Sequence, residues 1–104
     1  MTPKRNIQHQ LRDRIGEVAY TSAQVSHMFS EVGISWVGTG AILGYVKKHG
    51  LAVNLDELGI TPLGKSSTEY WIPKSKLAEI VNGLDVAATA DDLETAALRL
   101  GYQL

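Results

Sequence analysis

Three histidines, two acidic pairs and two glycine-rich stretches are the residues of this 104-residue chain whose types suit chemistry. His9, His27 and His49 show neither HxxxH nor HxH spacing, and there is no cysteine, so a metal site would need the three to converge through folding. Surface histidines are the simpler reading. Asp56-Glu57 falls in a stretch that reads as loop. Asp91-Asp92 falls where a helix begins, and carboxylates there are explained by the positive end of the helix dipole. Gly38-Thr39-Gly40-Ala41-Ile42-Leu43-Gly44 invites comparison with a phosphate-binding loop, because amides at a helix N-terminus attract anions. Its third glycine is one place late for the dinucleotide pattern, and no strand precedes it. Gly64-Lys65-Ser66 lacks the rest of a Walker loop, and no serine or threonine sits in a nucleophile elbow. The expectation is a protein that is not an enzyme and uses no cofactor or metal.

The length bounds the rest. A chain of 104 residues is one small domain, too short for a barrel enzyme or a full dinucleotide fold. An apolar fraction of 44% with 20% charged residues is that of a globular protein able to bury a core. Without cysteines, an apolar run of signal-peptide length after Met1, or a membrane-spanning stretch, the expected setting is the cytoplasm, with no membrane contact. The net charge of -1 hides an asymmetry. Residues 1–76 hold nine of the ten Lys/Arg and only six acids, whereas residues 77–104 hold Arg99 against five acids. A basic body with an acidic tail is compatible with nucleic-acid binding.

Five helices and a hairpin account for the apolar spacing, so the expected fold is mainly α with a small β-hairpin. Thr2-Pro3 signals a first helix within residues 1–19, with Ile7, Leu11, Ile15 and Val18 on one side and Gly16 near its end. Its other side carries Lys4, Arg5, Gln8 and Arg12, a solvated face or, for Arg5 and Arg12, a phosphate-contacting arm. Thr21 and Gln24 have capping-box spacing before Val25, Met28, Phe29 and Val32, and Gly33 closes that helix. A third helix runs to His49 and starts either at Trp36 or, because Gly38 and Gly40 weaken it, at Thr39. Its glycines would also let another surface approach closely. Lys47-Lys48-His49 suit its C-terminal end. Leu51, Val53 and Leu55 alternate, and Thr68-Glu69-Tyr70-Trp71-Ile72 is rich in strand formers, so the two make a hairpin around Gly64-Lys65-Ser66-Ser67. Pro73 opens a fourth helix with Leu77, Ile80, Val81 and Leu84 in register and a loose end at Asn82-Gly83. A fifth starts at Thr89 and buries Leu93, Ala96, Ala97 and Leu100.

Helix, turn, helix, strand, lysine-bearing loop, strand, helix is the order of a winged helix-turn-helix, in which the second helix reaches base edges while the wing holds phosphates. Two segments carry a family resemblance. Tyr20-Thr21-Ser22-Ala23-Gln24-Val25-Ser26-His27-Met28-Phe29 resembles the opening of the small helix-turn-helix domains of phage antirepressors, excisionases and MerR-like proteins. Thr68-Glu69-Tyr70-Trp71-Ile72-Pro73-Lys74-Ser75-Lys76-Leu77 resembles the wing and following helix of excisionase-like domains. The resemblance implies a core at 20–84, flanked by the helix of 1–19 and an acidic helix in 85–104. It implies double-stranded DNA as partner, a recognition helix at 36–49 contacting DNA through Thr39, Tyr45, Lys47 and Lys48, a wing tip at Lys65 and Ser66, and flanking phosphate contacts from Lys74 and Lys76. It also implies an accessory or transcription-regulatory role in a phage or mobile element.

The recognition helix offers no Arg, Asn or Gln as a bidentate base reader, so affinity would come mainly from phosphates. The alternative is an inhibitor or adaptor in which the same scaffold meets a protein partner through Trp36, Leu93, Leu100 and Tyr102. The last helix with Tyr102-Gln103-Leu104 is the natural surface for a homodimer. Whether Trp36 is core or contact separates the readings: buried, it completes the hydrophobic centre, and exposed, it marks an interaction surface.

Overall fold

The computed structural model describes residues 7–60 and 70–102. Five helices and a three-stranded antiparallel sheet follow in the order α1 (Ile7–Ile15), β1 (Ala19–Tyr20), α2 (Ser22–Glu31), α3 (Thr39–His49), β2 (Val53–Asn54), β3 (Tyr70–Pro73), α4 (Leu77–Leu84) and α5 (Ala90–Arg99). The expected hairpin is present, with Val53 opposite Trp71 and Asn54 opposite Tyr70. It gains a third strand that spacing does not reveal. Ala19 pairs with Pro73 and Tyr20 with Ile72, so β3 lies in the middle of the sheet.

Strand alternation divides the core in two. Tyr20 and Ile72 point into the larger cluster, with Val25, Met28 and Phe29 of α2, Ile42 and Val46 of α3, Leu77, Ile80 and Val81 of α4, and Leu93, Ala96 and Ala97 of α5. Their neighbours Ala19 and Trp71 point the other way, into a smaller cluster with Leu11 of α1 and with Leu55 and Ile60 of the wing loop. The sheet is therefore covered on both faces, by α1 and the wing loop on one and by α2–α5 on the other. Arg14 fastens the smaller layer, its guanidinium donating to the Leu58 carbonyl at 2.7 Å. On the other side of the strand junction, Glu17 accepts from both the amide and the hydroxyl of Ser75, at 2.7 and 2.9 Å.

The α2 start follows its sequence signal. Thr21 Oγ1 accepts from the Gln24 amide at 3.1 Å, and the Gln24 side chain accepts from the Thr21 amide at 2.9 Å. Thr21→Ala is expected to destabilise the fold by about 1 kcal/mol through loss of the cap, measured by urea unfolding; no change would mean that water replaces it. Gly33 lies in the left-handed region (φ 91°), which lets the Ile34 amide turn back onto the Phe29 carbonyl at 2.8 Å.

Two boundaries differ from the sequence reading. Pro73 ends β3 instead of opening a helix, and a 3-10 turn over Lys74–Lys76 leads into α4. Gly83 lies within α4 and does not loosen its end, the left-handed residue there being Asp85 (φ 54°). Gly83 leaves room for the Tyr45 ring, whose Cζ and Oη occupy the place of a Cβ. Gly83→Ala is therefore expected to lose stability by about 1–3 kcal/mol through overpacking, despite alanine's better helix propensity. Most of that loss should vanish against a Tyr45→Ala background in a double-mutant cycle, and additive losses would contradict the contact. The expected start of the first helix, Thr2-Pro3, lies outside the described residues, and α1 is described from Ile7.

Candidate functional site

The α2–α3 connection is built so that one tryptophan stands out from it. Ile34 and Val37 are both buried, pinning the turn on either side. Ser26 of α2 donates from its hydroxyl to the Val37 carbonyl at 2.9 Å, fixing the last residue before the α3 cap. Between the anchors Trp36 is 70% exposed, which settles its place: it is a surface residue, and α3 begins at Thr39.

Along α3 the buried side is Ile42 and Val46, with Leu43 and Tyr45 partly buried against the core. The opposite side exposes Thr39, Gly40, Ala41, Gly44, Lys47 and Lys48. At helical spacing Gly40, Gly44, Lys47 and Lys48 form one stripe, and a Cβ built on Gly40 or Gly44 would meet nothing within 4 Å. The stripe is thus almost bare backbone for two turns and then doubly cationic, where the negative end of the helix dipole favours such charge. Gly50 caps the helix and hands the chain to the wing. Lys47 Nζ lies 5.1 Å from the centre of the Tyr70 ring on β3, so the cationic end of α3 adjoins the wing strand. Among the described residues no carboxylate pairs with Lys47 or Lys48.

The other basic residues assigned to DNA are placed differently. Lys74 is engaged by Glu94 of α5 at 3.0 Å, and the hydrogen bond and charge of that carboxylate hold the ammonium above its ordinary pKa. Lys76 lies 4.0 Å from Glu79. Arg12 is exposed on α1, in the layer across the sheet from α3. Tyr45 is turned from the exposed stripe toward α4, with its ring 4.3 Å from that of His49. Arg5, Lys65 and Ser66 lie outside the described residues. Of the DNA-contact set, Thr39, Lys47 and Lys48 share the exposed side of α3.

The protein-contact set also separates. Leu93 is fully buried between α5 and the core, so it is no surface residue: the apolar stripe of α5 packs onto its own domain. Leu100 is partly buried on the same core. Tyr102 is half-buried, and its hydroxyl is 2.9 Å from His27 Nδ1, which ties the end of α5 to α2. Gln103 and Leu104 are outside the described residues. The surface leucine of α5 is Leu98, 62% exposed, which the sequence shows only as an apolar residue off the 93/96/97/100 stripe. Among the described residues no helix is long and apolar enough to cross a membrane, and no three His, Cys, Asp or Glu gather as metal ligands.

No family model matches the chain, and neither a curated protein nor a solved structure matches it.

Proposed function

We propose that this chain is a small DNA-binding protein of accessory or regulatory type that meets the duplex with the exposed side of α3. The observation that carries the reading is the pair Lys47 and Lys48, exposed on α3, the helix after the short α2–α3 turn, beside strand β3 and without a carboxylate partner among the described residues. A helix of this kind fits the major groove, and two lysines at one end would hold phosphates. Lys74 is a weaker contributor, because a phosphate would have to compete with Glu94 for it. With Thr39 the one polar side chain among the exposed residues of the first two turns of α3, recognition would depend little on base sequence.

The test is binding of the whole protein to a random-sequence duplex at low and moderate salt. Two phosphate contacts predict affinity that falls about tenfold for a fourfold rise in salt, and more if the wing adds Lys65. Absence of binding at low salt, or binding indifferent to salt, would contradict the reading. A second reading, a protein-recognition module, is supported by the exposure of Trp36, since tryptophan is a preferred anchor at interfaces.

A further inference from the structure

The exposed tryptophan has no place in a simple groove-docked helix. Bases inside a duplex are stacked on both faces, so an indole approaching from the groove meets their edges and gains none of the stacking its ring offers. Trp36 is nevertheless held outward by construction. The buried Ile34 and Val37 anchor the turn on both sides, and the Ser26 hydroxyl fixes the Val37 carbonyl at 2.9 Å. An exposed aromatic side chain on a turn anchored at both sides, just before a helix whose far end carries two lysines, matches a base with a free face and the phosphates that follow it.

Between the two ends the exposed side of α3 carries only small residues, Gly40, Ala41 and Gly44, and a Cβ built on either glycine would meet nothing within 4 Å. From Gly40 to Lys47 the helix advances about 10 Å, the rise of about three base pairs measured along a duplex axis. We propose that the preferred substrate is DNA with an unpaired base next to a duplex, such as a single-strand/duplex junction, with Trp36 stacked on the unpaired base and Lys47 and Lys48 on the phosphates of the adjoining duplex. This rests on the DNA-binding reading of α3 and adds a structural preference that reading does not require.

The experiment compares three probes with the whole protein: a blunt duplex, the same duplex with a short single-stranded tail, and the tail strand alone. Base–aromatic stacking predicts that the tailed duplex binds at least fivefold more tightly than the blunt one. Trp36→Ala should abolish that difference while leaving blunt-duplex affinity within about twofold, and Trp36→Phe should restore part of it. Thermal unfolding of both variants should match that of the parent protein, because the side chain lies outside the core. Equal binding of blunt and tailed duplex, or a loss in Trp36→Ala that is the same for all probes, would overturn the substrate preference and leave duplex binding standing. Failure of every probe to bind would overturn both.

Discussion

Phe29→Ala is expected to lower the stability of the domain by about 3–5 kcal/mol, the range found when a buried aromatic ring is truncated and its cavity only partly collapses. Phe29 is fully buried in the larger cluster, on the helix that packs against both α3 and α5. It also lies at the end of α2, where its carbonyl receives the Ile34 amide that opens the turn before Trp36. A domain of this size has a total stability of roughly 5–15 kcal/mol, so the substitution removes a large part of it. Urea unfolding should show a much lower midpoint with an unchanged slope. Trp36→Ala, seven residues on, should stay within about 0.5 kcal/mol of the parent. A loss below about 1 kcal/mol for Phe29→Ala would mean that the α2–α3–α5 layer is not packed around this ring.

The second large effect concerns binding. Lys47→Glu with Lys48→Glu replaces two phosphate-attracting charges by two repelling ones, and duplex affinity at low salt is expected to fall about a hundredfold. The salt dependence should lose about two units of slope, one for each phosphate contact removed. The reversed charges also oppose the helix dipole and weaken the last turn of α3, so Lys47→Gln with Lys48→Gln serves as the milder variant. It should lose the same slope with a smaller fall in affinity and with unfolding close to the parent's. Unchanged affinity in both variants would move the binding surface away from α3.

The local signals in the sequence carried most of the fold. Thr21 and Gln24 form the reciprocal cap that their spacing predicts, and the apolar stripes of α2, α4 and α5 are the buried faces. The pairing of β2 with β3 follows from alternation and strand-forming residues. What spacing could not reveal lies in contacts between distant segments. A two-residue strand such as Ala19–Tyr20 has no period of its own and exists because Ile72 and Pro73 are there to pair with it. The glycine at 83 reads as a helix breaker until the Tyr45 ring is seen against it.

The candidate site was legible to a different degree. The lysines at 47 and 48 are in a position that helical spacing alone makes exposed. Lys74 looks equally available in the sequence, and only the approach of Glu94 from a helix twenty residues on gives a phosphate a competitor for it. Leu93 belongs to a stripe that either a core or a partner could cover, and the fold supplies the cover itself. Trp36 was undecidable for a related reason: apolar residues surround it in sequence, and its exposure is set by which neighbours the core takes, Ile34 and Val37.

The most direct test of the account is a residue-resolved map of where DNA touches the protein. Backbone amide spectra of the labelled protein, titrated with a short duplex, should shift most at Gly40, Ala41, Gly44, Lys47 and Lys48, with the α1 residue Arg12 changed little. Shifts gathered instead around Leu98 on α5, or none on α3 at saturating duplex, would contradict the claim that the exposed side of α3 is the nucleic-acid surface.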